Sequence, residues 1–171
     1  MLNSQTAESI IDHALSLGAD FAEIFIEKNE TNVISTLSDD VQSVESGINF
    51  GVGLRLIYGT KVLYGYTNKT DRDELLRIAS VLAAKDLRDP VNTIKSFNFN
   101  QMTDIHPARK ILSVDAEIES KVAYLMEADR AARAAGKLIS QTRGSCTQRE
   151  QRIEIVNSGH LYTYESAREK G

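Results

Sequence analysis

The sequence is poor in the residues that build disulfide frameworks, membrane helices and nucleic-acid surfaces. It has no tryptophan, two prolines and one cysteine, so no disulfide can form within the chain and a reducing, cytoplasmic location is expected. The first residues lack the basic and apolar regions of a signal peptide. No apolar run reaches the roughly 18 residues of a membrane helix. The net charge of −4 argues against the basic surface that binding to nucleic acid or an anionic membrane requires.

Apolar residues at helical spacing predict three helices. The first runs from about Thr6 to Leu17, and the second occupies residues 71–86 behind the candidate caps Thr70 and Asp71. The third begins after Ser113 and ends at Gly136, and its acidic start and basic end suit the helix dipole. Its predicted buried face consists of Ile118, Val122, Leu125 and Met126.

Alternating apolar residues predict strands on both sides of the helices. In residues 21–27 one parity is uniformly apolar and is predicted to face inward: Ala22, Ile24 and Ile26. A break is predicted at Asp39 and Asp40, and later strands are predicted at 138–146, 152–156 and 161–165. Strands grouped around helices indicate an α+β fold, with a largely antiparallel or mixed sheet packed against about three α-helices. We expect a single domain over residues 1–171, with a long irregular connection at about 87–112.

The segment GINFGVGLRLIYGTKVLYGY, residues 47–66, resembles a glycine-rich phosphate loop at first sight. A dinucleotide fingerprint needs a third glycine where Leu56 stands, and a helix must follow. Here the alternation continues instead and resumes after Gly59 and Thr60, which predicts a β-hairpin with a type II′ turn. The remaining glycines are predicted to admit another backbone or a helix at close range: Gly51, Gly53 and Gly65.

The ribbon and its flanks resemble a known family. The stretches GADFAEIFIEK, VQSVESGINFGVGLRLIYGTKVLYGYTN and DRDELLRIA, followed by EQRIEIVNSGHLYTYE, are similar to the N-terminal part of the TldD/PmbA proteins, also called modulators of DNA gyrase. The similarity spans nearly the whole chain. It implies a cytoplasmic zinc metallopeptidase system that degrades small, flexible or unfolded peptides, often as a pair of related subunits.

In that family a His-Glu-x-x-x-His helix in the C-terminal part holds zinc, and its glutamate activates water. The histidines of this chain are His13, His106 and His160, and none has the required partners at that spacing. No catalytic, cofactor or metal residue is therefore carried over. We expect the chain to lack the C-terminal metallopeptidase domain and to be inactive alone.

Other chemically capable residues favour ordinary structural roles. Cys146 has no neighbouring histidine and is predicted to be a buried or edge thiol. Asp39, Asp40 and Glu45 lack the spacing of a calcium loop and are predicted to form a solvated turn. A small basic cluster is predicted to be solvated, or to contact the rest of the protein or a partner: Lys137, Arg143, Arg149 and Arg152.

Two functions remain open at this point. The first is a non-catalytic N-terminal domain of a zinc peptidase that shapes substrate access and subunit pairing. The second is a stand-alone module that binds a protein or peptide at a sheet edge, without a proteolytic role. The expected partners are a peptide or unfolded protein, and a related second subunit or a second copy of the chain. An unpaired edge within residues 150–168 would favour a homo-oligomer.

Overall fold

The computed structural model describes residues 2–86 and 116–158, together with the backbone of residues 161 and 162. Several predicted features lie outside these residues: the connection at 87–112, the cap Ser113, and both His106 and His160. The same holds for most of the last predicted strand, at 161–165.

Three helices and five strands follow one another in the described residues, as is typical of an α+β fold. Their order is α1 (Ser4–Ser16), β1 (Phe21–Leu37), β2 (Asp40–Tyr58), β3 (Lys61–Thr67), α2 (Arg72–Ala83), α3 (Ile118–Ala134), β4 (Arg143–Asn157) and β5 (Leu161–Tyr162). The strands form one sheet in the order β3-β2-β1-β4-β5. β2 and β3 run antiparallel, as do β4 and β5, so the predicted fold class is confirmed.

The strands are longer than predicted. β1 has 17 residues and β2 has 19, and β4 is continuous where two strands at 138–146 and 152–156 were predicted. Polar runs such as 28–32 do not interrupt β1, because strands on both sides of it satisfy its backbone hydrogen bonds whatever its side chains are. The strand predicted to start at Leu138 begins only at Arg143, and Leu138 is almost fully exposed.

The chain packs as two compact units, each with its own interior. Among the described residues, the first contains those up to Lys28, the ribbon and α2 from Phe50 onward, and the end of β4 from Arg152 onward. The second contains 29–49 and, among the described residues, those of α3 and β4 up to Gln151.

The core of the first unit lies between two helices and one face of the sheet. The predicted inward residues Ala22, Ile24 and Ile26 of β1 are buried, and so is the apolar set of β2: Val52, Leu54, Leu56 and Tyr58. α1 and α2 cover this face with an apolar stripe each, including Ile10, Ile11, Leu75 and Ala79. Burial of apolar surface stabilises a fold by about 25 cal/mol per Å², so this core contributes strongly to the stability of the first unit.

Side-chain caps fix where the first two helices begin. Asn3 Oδ1 accepts the N–H of Thr6 at 2.7 Å, so α1 starts at Ser4, earlier than predicted. Asp71 Oδ1 accepts the N–H of Glu74 at 3.0 Å, which confirms one of the two predicted caps of α2. Gly18 follows α1 with a φ of 97°, a conformation that suits glycine after a helix.

The glycine ribbon is a two-residue hairpin, as predicted. Tyr58 pairs with Lys61, and Gly59 between them has a φ of 60°. A Cβ on Gly65 would lie 2.7 Å from Ile78 Cγ2 and 3.3 Å from Leu82 Cδ1, so this glycine admits α2 at close range. Gly53 lies under the ring of Tyr64, whereas nothing lies within 4 Å of a Cβ on Gly51. The predicted close approach of a backbone or helix is confirmed at Gly65 and is wrong at Gly51; at Gly53 the close neighbour is a side chain, that of Tyr64.

The second unit places α3 on a polar part of the sheet. The buried row of α3 is Lys121, Leu125 and Asp129, and Gly144 of β4 lies close enough that a Cβ there would approach both Leu125 and Thr36. The prediction of a buried face is confirmed for Leu125, which is buried. Val122 and Met126 are only half-buried, and the prediction is wrong for Ile118, which is exposed. The face of α3 predicted from its apolar residues is therefore rotated slightly from the face that packs on the sheet.

Candidate protein-interaction site

The first half of β2 forms an open edge of the sheet. β3 pairs with β2 only from Val52 to Tyr58, so no strand in the described part of the chain occupies the outer side of Asp40–Asn49. Both faces of this segment are solvated. On one face the apolar Val44 and Ile48 are 46% and 69% exposed, and on the other face Glu45 is exposed. We call Asp40–Asn49 the β2 edge.

The β2 edge lacks the usual protection against pairing with another chain. Natural edges are blocked by lysine, proline or bulges. Residues 40–51 contain no lysine, arginine or proline. Among the described residues, the outward N–H and C=O groups of the edge have no strand beside them and offer a position for an added strand. The sequence predicted an edge only within residues 150–168, where β5 ends the described sheet beside Ile155 and Val156.

The start of the β2 edge is held in place at a strained turn. Ser38 and Asp39 have φ values of 48° and 69°, a left-handed conformation that is costly for residues with a side chain. The N–H of Ser38 donates to the carbonyl of Thr142 at 2.9 Å. Asp39 is 3.4 Å from Arg130 Nε and 3.5 Å from Arg133 Nη2. The predicted turn thus comprises Ser38 and Asp39, whereas Asp40 and Glu45 belong to β2.

A buried carboxylate links the arginines to the sheet. Asp129 is 5% exposed, accepts a hydrogen bond from the hydroxyl of Thr142, and is 3.3 Å from Arg133 Nε. The Oδ2 atom of Asp129 is buried and accepts no hydrogen bond from the described residues, so its contact with Arg133 is an ion pair without a hydrogen bond. Arg133 therefore bridges a buried acid and the acid of the turn, which couples α3 to the tip of the β1–β2 hairpin.

An aromatic stripe marks the exposed face of β3. Val62, Tyr64 and Tyr66 alternate along the strand and are 57%, 58% and 83% exposed. On the neighbouring strands Arg55 pairs with Glu23 at 2.9 Å and lies over the ring of Phe21 at 5.7 Å. Aromatic side chains of this kind are enriched at protein interfaces. We call Val62, Tyr64 and Tyr66 the tyrosine stripe.

Of the histidines and the cysteine singled out in the sequence, the structure describes His13 and Cys146, which lie on different elements. His13 lies on α1, with its Nε2 2.9 Å from Ser80 Oγ, and Cys146 is a half-buried free thiol on β4. Within residues 2–86 and 116–158, no three His, Cys, Asp or Glu side chains converge to hold a metal ion. Zinc therefore does not fit the described part of the chain, and no catalytic step is assigned to it.

The predicted basic residues belong to both units. Lys137 and Arg143 are exposed. Arg149 donates to Asn29 Oδ1 through Nε at 3.2 Å and Nη2 at 3.0 Å. Arg152 belongs to the first unit and has a partner of its own.

Glu154 is a buried carboxyl in the first unit, 8% exposed on β4. Burial raises its pKa from the ordinary value of 4.5, although the Leu2 N–H, which donates at 3.4 Å, opposes the shift. The ionised form of Glu154 therefore destabilises the folded state. The cost is fully present above the folded-state pKa and disappears as the pH falls through it.

We expect the native chain to gain stability relative to Glu154→Gln as the pH falls from about 7 to about 4. Glutamine keeps an acceptor for Leu2 but has no charge to bury. Urea unfolding of both proteins across this range measures the difference. A difference that stays constant, or one that grows with rising pH, would contradict the assignment.

Two family models match the chain. One, described as PmbA/TldA metallopeptidase domain 1, matches residues 22–86. The other, described as the PmbA/TldA metallopeptidase central domain, matches residues 112–168. The chain belongs to the PmbA/TldD family. The resemblance of the ribbon and its flanks is thereby confirmed, and the protein is a member of a metallopeptidase family.

Solved structures share the PmbA/TldD fold. A proposed modulator of DNA gyrase from Thermotoga maritima has a TM-score of 0.70 at 11% identity and matches 96% of this chain and 37% of its own. One from Bacteroides thetaiotaomicron has a TM-score of 0.67 at 14% identity, with 98% and 38% covered. TldE from Thermococcus kodakarensis has a TM-score of 0.59 at 15% identity, with 96% and 36% covered. At these identities the likeness establishes the fold alone.

This PmbA/TldD chain spans between 36% and 38% of the length of those structures. No curated protein matches it at the same stringency. Among the helices described for it, none is long and apolar enough to cross a membrane.

Proposed function

We propose that this chain is the non-catalytic front part of a longer PmbA/TldD-type zinc metallopeptidase. The whole protein would degrade small, flexible or unfolded peptides in the cytoplasm, and this part would shape substrate access and pair subunits. The observation that carries the proposal is the match to domain 1 and the central domain of the family, in that order along the chain.

The tyrosine stripe supports a part in substrate access. Unfolded peptides expose apolar side chains, and a flat aromatic surface binds them without requiring one sequence. Tyr66 is 83% exposed, so its ring is available to a passing peptide. The stripe also lies on an edge strand, because β3 ends the sheet.

We expect Tyr66→Ser in the longer peptidase to lower the rate of cleavage of unfolded casein about three- to tenfold, the loss of one aromatic contact of roughly 1 kcal/mol. Cleavage of a short chromogenic peptide, which offers no extended apolar chain for the stripe to bind, should stay unchanged. Tyr124→Ser is the matched control, because Tyr124 is 74% exposed on α3. Equal effects of both substitutions, or none on casein, would reject the stripe as a substrate surface.

A stand-alone binding module is the second candidate, and the β2 edge favours it. The edge offers unpaired backbone groups to an extended partner without any need for proteolysis. The two candidates differ in their metal requirement, because only the first needs zinc in another part of the protein.

A further inference from the structure

The outer face of the sheet in the first unit carries apolar side chains beside the tyrosine stripe. α1 and α2 cover the opposite face. Phe21 and Phe25 of β1 and Ile57 of β2 point outward and are only half-buried. Val62 of the stripe lies directly opposite Ile57, so the apolar surface continues from strand to strand. An apolar face of this kind is typical of a surface that binds a partner.

Carboxylates set the charge of this outer face. Glu23 and Glu27 alternate with the two phenylalanines along β1. Arg55 is the only cation at the outward positions of β1, β2 and β3 in the first unit, and it is already paired with Glu23 at 2.9 Å. The face is therefore acidic and aromatic, which favours a basic, apolar partner and disfavours nucleic acid or an anionic membrane.

Arg55 shows how this face holds a guanidinium group. Its Cζ lies 5.7 Å from the centre of the Phe21 ring, and its Nη2 lies 2.9 Å from Glu23 Oε1. An aromatic ring and a carboxylate thus bind one cation together, which combines a cation–π contact with an ion pair. Arginine suits this arrangement better than lysine, because its planar guanidinium both stacks on a ring and forms bidentate hydrogen bonds.

The register of β1 against β2 places a second carboxylate on this face, near the tyrosine stripe. Two contacts fit one antiparallel register: the ion pair of Arg55 just described, and the approach of Ser35 Oγ to Ser43 Oγ at 2.7 Å. In that register Glu27 of β1 lies opposite Gly51 of β2, and residues opposite each other share a face of the sheet.

Tyr66 of β3 lies on the other side of Gly51. It pairs with Gly53, the next outward residue of β2, and it is 83% exposed. Nothing lies within 4 Å of a Cβ on Gly51. Strands two places apart in a sheet are about 9–10 Å from each other, which leaves room for one guanidinium group above the strand between them. A side chain over Gly51 therefore meets a ring on β3 and a carboxylate on β1, the same two groups that hold Arg55.

We propose that Tyr66 and Glu27 bind an arginine side chain of an extended peptide over Gly51, so that this part of the protein prefers unfolded segments that carry arginine among apolar residues. The inference rests on the proposed role in substrate access and names the substrate class. Glu27 has an interaction of its own within the chain, but an ionised carboxylate has about four lone-pair sites and accepts further hydrogen bonds. Val62 and Tyr64, the rest of the tyrosine stripe, would contact the apolar neighbours of the arginine.

Binding of labelled peptides to the 171-residue chain, followed by fluorescence anisotropy, tests this preference. One unstructured peptide carries arginine among leucine and alanine residues, and a second carries citrulline at the same places, which has a similar shape without the charge. We expect the arginine peptide to bind at least about fivefold more tightly, because the cation–π contact and the ion pair form only in its complex. Added salt should reduce the difference by screening the charges.

Substitutions show whether the preference arises at this place. Tyr66→Ser and Glu27→Gln should each remove most of it, whereas Tyr66→Phe should retain it, because phenylalanine keeps the face of the ring. Tyr124→Ser and Glu127→Gln are the matched controls, since both residues are exposed on α3, and both variants should leave the preference unchanged. A preference that survives Tyr66→Ser would reflect the net charge of the chain and would overturn the assignment.

Two further results would also overturn the proposal. Equal binding of the arginine and citrulline peptides would mean that the face binds apolar chains without a place for a guanidinium group. Binding of neither peptide would mean that this face does not bind peptides at all. In both cases the proposed metallopeptidase role stands or falls separately, since zinc content and casein cleavage are measured on the longer protein.

Discussion

Replacing Gly65 by valine is expected to lower the free energy of unfolding by about 3 kcal/mol, because overpacking a closed core typically costs 1–3 kcal/mol and occasionally more. A Cβ at this position would already lie 2.7 Å from Ile78 Cγ2 and 3.3 Å from Leu82 Cδ1. Both partners are buried, at 8% and 4% exposure. Valine adds two further methyl groups, so α2 must move away from the ribbon. Urea unfolding of the purified chain measures the loss.

Gly51→Val is the matched control for this prediction. Gly51 is also in the ribbon, but nothing lies within 4 Å of its Cβ position, and valine suits a strand. Its stability should change by less than about 0.5 kcal/mol. Combining Gly65→Val with Ile78→Ala should recover part of the loss, since the two side chains compete for one space. Equal losses at Gly65 and Gly51 would refute the packing explanation.

Removing the Asp129 carboxylate is expected to cost about 2–3 kcal/mol in the second unit. Asp129→Ala leaves the hydroxyl of Thr142 without its acceptor and separates Arg133 from its buried partner. A buried polar group that loses its partner costs roughly 1–3 kcal/mol, and more when charge is involved. The Ser38–Asp39 turn would also lose support, because Arg133 holds Asp39 as well.

Two variants separate these contributions. Asp129→Asn keeps an acceptor for Thr142 and should cost about half as much as alanine. Glu127→Ala alters the exposed face of the same helix and should be within about 0.5 kcal/mol of the native chain. Thermal melts followed by circular dichroism compare the three. A loss for Glu127→Ala as large as for Asp129→Ala would point to helix propensity instead of the buried carboxylate.

The first unit could be predicted in detail because its strands follow a simple rule. Ala22, Ile24 and Ile26 share one parity with no polar exception, and every one is buried. The same rule held for β2, whose alternating apolar residues from Val52 to Tyr58 are buried, but not for β3, where Val62, Tyr64 and Tyr66 are exposed. The predicted hairpin turn was found, because Gly59 has the positive φ that a tight turn requires. Asp71 was found as a cap because its side chain acts on a neighbouring N–H, so the signal is local.

The second unit was predicted less well, because its interior is polar. Lys121 and Asp129 form the buried row of α3 together with Leu125, whereas the apolar Ile118 is exposed. An acid is buried there because Thr142, far along the chain, donates a hydrogen bond to it. No pattern in the residues around Asp129 predicts its hydrogen bond with Thr142. The lengths of β1 and β4 were missed for the same reason, since neighbouring strands support polar residues.

The candidate interaction site depends on where strands stop, which the sequence signals only weakly. The β2 edge is open because β3 ends opposite Val52, and that is a property of long-range register. The lack of lysine and proline in residues 40–51 was the available signal. The tyrosine stripe was visible as an alternation, but its exposure depends on α2 covering the opposite face through Gly65.

Zinc content and peptide cleavage, measured together on the 171-residue chain and on the longer peptidase proposed to contain it, test the central claim most directly. The chain, purified without chelator, should hold far less than one zinc ion per molecule and should leave unfolded casein intact. The longer protein should hold stoichiometric zinc and cleave casein, with both properties lost to a chelator. Stoichiometric zinc in the chain alone, together with chelator-sensitive cleavage, would contradict the assignment of this part as non-catalytic.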